Sequence, residues 1–133
     1  MIVAGLGFRR GTPAPDICAV IAAALERHGL AQHDLICLAT EAAKAGEPGV
    51  KEAADRLSLP LIECALSDLL EASERTLTHS FLVEALKGVP SIAETAALVA
   101  AGCGARLLGP RIAHDRATCA LACTGAAAEG VAS

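Results

Sequence analysis

The chain has 133 residues rich in Ala, Leu, Val and Ile, with two Phe, no Trp or Tyr, and a formal charge of −4. That length suits one compact domain with an aliphatic core. The acidic balance and the missing aromatic platform argue against a nucleic-acid partner, whose binders need a basic face or stacking rings.

Membranes are excluded as partners on length. Apolar stretches such as Ile17 to Leu25 fall far short of the roughly 20 residues a spanning helix needs. The start of the chain is strand-like and carries no basic n-region or cleavage site, so a cytoplasmic location is expected. Cys18, Cys37, Cys64, Cys103, Cys119 and Cys123 show irregular spacing and no C-x-x-C pair, which reads as buried free thiols.

In chain order, Ile2 to Phe8 reads as a short strand. Two prolines precede Asp16, an N-cap or first-turn acid for a helix to His28 whose apolar positions Ile17, Val20, Ile21, Ala24 and Leu25 recur at helical spacing. Leu35 to Ala39 is a buried-strand run, Lys44 to Gly49 a polar turn, and Val50 to Leu59 an amphipathic helix. Leu61 to Ala65 predicts a third strand, and Ser67 to Leu70 a short helix. Between Thr76 and Gly88 the pattern fits strand or helix equally.

Ser91 and Glu94, three apart, form a capping-box signature for a helix ending at Gly102. Ala105 to Ala113 and Ala117 to Thr124 then read as two strands around the polar turn His114-Asp115-Arg116, with a small, frayed tail from Gly125 to Ser133. Strands alternating with helices imply an α/β sandwich over residues 1–124. Its sheet should have about five strands. It should be mixed and mainly parallel, because the last two strands are too tightly linked for a parallel crossover.

Within this order, "GLGFRRGTPAPD" (residues 5–16) joins the first strand to the first helix. Gly5, Gly7 and Gly11 do not place the glycines of a dinucleotide fingerprint, although Glu41 stands near the position of a ribose-binding acid. No Gly-Lys-Ser/Thr is present, which excludes a Walker loop. The chemistry that remains is anion binding. Glycine lets backbone N–H groups approach a ligand, the following helix offers its positive end, and Arg9 and Arg10 supply planar forks suited to carboxylates.

Open α/β sheets bind ligands beyond the carboxyl ends of their strands. Gly5 to Thr12, Lys44 to Gly49 and the turn before Ser91 are therefore expected to converge in one cleft, where Arg9, Arg10, Lys44 and Arg111 act together. His28, His33, His79 and His114 lack metal-ligand spacing, so no metal is expected. Ser80, His79 and Asp115 have no nucleophile elbow to support a hydrolytic triad.

Four segments in a fixed order, "GLGFRRGT", "LATEAAKAGEPGVKEAADRLSLPL", "VPSIAETAAL" and "GPRIAHDRATCALA", resemble the CobE family of cobalamin (vitamin B12) biosynthesis, which includes the C-terminal domain of the hydrolase CbiG. The resemblance spans Ile2 to about Ala122 and implies a three-layer α/β/α domain with a mixed sheet. The matching positions are Gly5, Gly7, Arg9 and Gly11, then Lys44, Glu47 and Gly49, then Ser91, Glu94 and Ala97, and finally Arg111 and Thr118. Phe8 stands where relatives often carry Cys, Gly46 where they carry an acid, and Gly109 where valine is common.

The resemblance implies a protein that binds or hands on a polycarboxylate precorrin or corrinoid intermediate, with other enzymes of the pathway as further partners and no cofactor. The ligand-binding set would be Gly5, Gly7, Arg9, Arg10, Gly11, Thr12, Lys44, Glu47, Gly49, Ser91, Glu94 and Arg111. The alternative it implies is an enzyme on a precorrin or cobalt-precorrin, opening a lactone as CbiG does, with Glu47 or Glu94 moving a proton. A nucleotide-binding domain is the third reading.

Overall fold

A computed structural model describes residues 1–72, 92–102, 104–114 and 116–124. The ambiguous stretch 76–88, the cap residue Ser91, His79, Ser80, Cys103, Asp115 and the tail 125–133 lie outside the described residues. In chain order the elements are β1 (Ile2–Phe8), α1 (Ala14–Arg27), β2 (Leu35–Glu41), α2 (Pro48–Leu57), β3 (Leu61–Cys64), α3 (Leu66–Ala72), α4 (Ile92–Ala101), β4 (Arg106–Leu107), β5 (Ile112–His114) and β6 (Ala117–Cys123). Single 3-10 turns, Gln32–Asp34 and Ala42–Lys44, flank β2.

These strands form one six-stranded sheet in the order β3-β2-β1-β6-β4, with β5 also on β6. β1, β2 and β3 are parallel neighbours, and β6 runs antiparallel to β1, β4 and β5. The sheet is thus mixed, with β6 alone opposed in direction to the rest.

The predicted strand from Ala105 to Ala113 is two strands. Five residue steps from Leu107 to Ile112 face only three steps of β6, from Ala122 to Cys119. Leu108 N–H still reaches Leu121 C=O at 2.9 Å, and the two extra residues interrupt the ladder at Gly109 to Arg111, as a bulge does.

Side-chain alternation assigns the two faces of the sheet. Ala4, Leu6, Phe8, Leu38, Cys119 and Leu121 pack with Ile17, Val20, Ile21, Val50 and Ala53 of α1 and α2. Val3, Cys37, Ala39 and Ala122 pack with Leu69 of α3 and with Ala96, Ala97 and Leu98 of α4. The result is the expected three layers, with an aliphatic core on each face.

Helix ends follow from local chemistry. Pro13 and Pro15 start α1, and Asp16 sits in its first turn, where a negative charge favours the helix dipole. At its far end Leu30 N–H returns to Leu25 C=O and Gly29 N–H to Glu26 C=O, a Schellman closure. Pro48 opens α2, which therefore begins two residues before the apolar pattern suggests and ends at Leu57. No helix among the described residues is long and apolar enough to cross a membrane.

Candidate functional site

The carboxyl ends of β1 and β2 carry the loops that the sequence singles out. Gly5 and Gly7, however, lie within β1 and not in its loop. They are the positions of β1 that face α4. A Cβ on Gly5 would overlap the backbone of Ala93 and Ala97 and lie 2.8 Å from the Ala97 Cβ. One on Gly7 would lie 2.7 Å from Thr118 Oγ1, whose hydroxyl donates to Gly7 C=O at 3.2 Å. Gly5 lets α4 lie close on the sheet and Gly7 leaves room for the Thr118 hydroxyl, so the loop after β1 is shorter than its glycine content suggests. It runs from Arg9 to Pro13.

That loop is closed on itself and tied to its neighbour. Thr12, itself buried, donates its N–H and its hydroxyl to Arg9 C=O, at 3.1 and 2.6 Å. Gly11 has φ +81°, the left-handed region that glycine adopts without strain. Its N–H donates to Glu47 Oε1 at 2.9 Å, while Glu47 Oε2 lies 3.6 Å from Arg10 Nη1. Lys44 donates its ammonium to Phe8 C=O, with Nζ 5.7 Å from the centre of the Phe8 ring. Gly49, inside α2, lets that helix sit against Thr12, where a Cβ would overlap the Thr12 carbonyl. The first loop and the Lys44 to Gly49 segment therefore converge.

Arg111 and Glu94 form a second, separate pair. Glu94 sits in the first turn of α4 with no exposed surface, and its Oε2 accepts the Arg111 N–H at 2.9 Å. That N–H belongs to the interrupted ladder between β4 and β5, where β6 does not receive it. This pair lies beyond β6, whereas Glu47 and Gly11 lie at the β1 and β2 ends, so the structure brings together the sequence-selected residues as two local pairs. Ser91 is outside the described residues. α4 runs with Ile92 and Ala93 near Gly7 and Ala97 near Gly5, so its N-terminus points to the same sheet edge as the Arg9 loop.

Arg116, which the sequence reading passed over as part of a polar turn, stands beside the Arg9 loop. Its C=O accepts the Arg9 N–H at 3.3 Å, and its guanidinium lies 3.9 Å from Asp16. The antiparallel pairing of β6 with β1 brings it there by setting Ala117 opposite Phe8. Only knowledge of that pairing would have identified it. Arg9, Arg10 and Gly11 are all exposed.

Among the described residues no three His, Cys, Asp or Glu side chains gather as a metal site would require. Cys37, Cys64 and Cys119 are buried, Cys18 and Cys123 half-buried, and all five are free thiols. Burial pushes the Cys119 thiol up to about 12, and burial with the nearby Asp68 and Cys37 raises Cys64 to about 11. They are protonated fillers of the aliphatic layers. An apolar groove lined by Cys18, Ile21, Leu25, Leu30 and Leu57 runs between α1 and α2, reaching their carboxyl-terminal ends, away from the arginine loop.

The family described as Cobalamin synthesis G C-terminus has a model that matches residues 2–122. Protein CobE from Sinorhizobium sp. is 37% identical over 121 residues, which cover 91% of this chain and 79% of that protein. Among solved structures, CobE, a protein from the cobalamin (vitamin B12) biosynthetic pathway, superimposes with a TM-score of 0.86 at 36% identity, covering 92% of this chain and 89% of that one. The cobalamin biosynthesis protein ChiG from Agrobacterium tumefaciens gives a TM-score of 0.75 at 39% identity, covering 93% and 98%.

Proposed function

We propose, from the premise that the chain belongs to the CobE/CbiG C-terminal family of cobalamin biosynthesis, that it binds a polycarboxylate precorrin or corrinoid intermediate at the carboxyl edge of β1. The observation that carries this reading is the exposed Arg9-Arg10 pair, with Arg116 beside it, on a chain that is acidic overall. Such a cluster focuses positive potential at one edge and draws a multiply charged anion to it.

Planar guanidinium forks suit the acetate and propionate carboxylates at a corrin rim. The ring itself would lie over aliphatic surface, since the chain has no Trp or Tyr to stack on it. Glu94 is placed for neither proton transfer nor ligand contact. It has no exposed surface, and its carboxylate is engaged by the Arg111 N–H.

The test compares a corrin bearing free carboxylates with its fully amidated counterpart, followed by visible spectroscopy on wild type and Arg9→Ala. Preference for the free acid in wild type, weakened in Arg9→Ala with an unchanged thermal melt, is the expected result. Equal affinity for both corrins would overturn the reading.

A further inference from the structure

Glu47 occupies an unusual position for a helix N-cap. It precedes Pro48 at the start of α2, yet its side chain makes no capping hydrogen bond to that helix. Both carboxylate oxygens turn away toward the neighbouring loop. Oε1 takes the Gly11 N–H at 2.9 Å, and Oε2 faces Arg10 Nη1 at 3.6 Å. A backbone N–H and a guanidinium, one on each oxygen, form a donor set that recognises a carboxylate.

Three further features describe that donor set. Space beside Gly11 is open, with no atom within 4 Å of where a Cβ would stand, so a ligand can approach the peptide. The guanidinium of Arg10 is 74% exposed and the Glu47 side chain 18%, so the ion pair is water-screened and weak. Glu47 also has another place to go, because the first N–H groups of α2 have no partner within their own helix.

We propose that the Gly11 N–H and Arg10 guanidinium are a carboxylate-binding site held by the protein's own Glu47, which an incoming ligand carboxylate displaces. The inference rests on the polycarboxylate reading above and deepens it by naming the donors and the group that competes for them. Glu47 is then neither an acid catalyst nor a direct ligand contact. It keeps the loop ordered while the site is empty, and it sets a threshold that a single carboxylate overcomes poorly and a polycarboxylate, anchored also at Arg9, overcomes readily.

The sign of one substitution decides this. Propane-1,2,3-tricarboxylate serves as a probe without a ring, titrated into labelled protein while the Gly11 amide signal is followed by NMR. Glu47→Ala should bind it about fivefold more tightly than wild type, the equivalent of removing one exposed ion-pair competitor. Arg10→Ala added to Glu47→Ala should abolish the gain.

Equal or weaker binding by Glu47→Ala, or a Gly11 amide that does not move, overturns the proposal. Should Glu47→Ala lose its dispersed spectrum, Glu47→Gln decides. It keeps an acceptor for Gly11 but drops the charge on Arg10, and it should still bind more tightly than wild type. Unchanged or weaker binding by Glu47→Gln then counts against the proposal.

The corrin comparison separates the two claims. Discrimination between free and amidated corrin without a gain in Glu47→Ala leaves the functional reading standing and removes the stand-in role. A gain for the tricarboxylate without corrin discrimination does the reverse.

Discussion

Glu94 Oε2 accepts the backbone N–H of Arg111 at 2.9 Å in a place with no exposed surface on the carboxylate side chain. A helix side chain here does the work of a missing strand. The two extra residues between β4 and β5 turn this partly buried N–H away from β6, and a donor left alone out of reach of water costs about as much as a lost hydrogen bond.

Removing that acceptor should therefore be expensive. Glu94→Ala is expected to lose about 2–3 kcal/mol of stability, the range for a hydrogen bond to a charged group plus an orphaned donor. Glu94→Gln keeps an oxygen for Arg111 and should lose clearly less. Urea titrations of the three proteins check this, and equal losses for Ala and Gln would mean that the Arg111 contact is not what stabilises the turn.

The two kinds of glycine should separate under substitution. Gly5→Ala places a methyl group into the backbone of α4, which cannot yield as a flexible side chain would, so a loss of about 3 kcal/mol or a failure to fold is expected. Gly11→Ala meets no atom and costs only the left-handed backbone, about 1–2 kcal/mol, with Gly11→Asn milder still. Thermal melts rank the variants. A Gly11→Ala loss equal to that of Gly5→Ala would show that the loop is packed as tightly as the core.

Those glycines also mark where the sequence stopped being legible. Ile17, Val20, Ile21, Ala24 and Leu25 announce α1 because helix periodicity is local, and all five are buried as that spacing requires. Gly5 and Gly7 read as part of a ligand loop because glycine next to arginine and proline marks turns. Their actual reason is contact with Ala93 and with Thr118, far along the chain, and no local pattern encodes it. Glu94 was legible as a helix-start acid for the same local reason. Its partner Arg111 depended on a break in a strand that the apolar run from Ala105 to Ala113 concealed.

The buried thiols predict a stability profile in alkali. Cys119 and Cys64 stand at about 12 and about 11 in the folded protein, against 9.0 for an ordinary thiol. Between these values the unfolded chain has released protons that the native state keeps, so stability falls as pH rises. It should be flat with respect to these groups below about pH 8 and then decline, each group contributing a slope near 1.4 kcal/mol per pH unit until its folded value is reached. Denaturant titrations from pH 7 to 10.5 measure the decline, and Cys119→Ala should make it shallower. A Cys119→Ala profile parallel to wild type would show that its ionisation is not linked to unfolding.

Asp16 gives the last test of the cationic edge. Its carboxylate lies 3.9 Å from Arg116, part-exposed on both sides, and so withholds some positive charge from the Arg9 loop at little gain in stability. Asp16 also sits in the first turn of α1, where its charge favours the helix by a few tenths of a kcal/mol, so Asp16→Asn should melt slightly lower than wild type. Binding should move the other way. Freed of its partner, Arg116 joins Arg9 and Arg10, and affinity for a corrin with free carboxylates should rise about two- to fourfold at low salt. Raising the ionic strength to 1 M contracts screening to about 3 Å, so the advantage should shrink toward none. An affinity that falls with the melt, or a gain indifferent to salt, would place the carboxylates of the ligand away from Arg116.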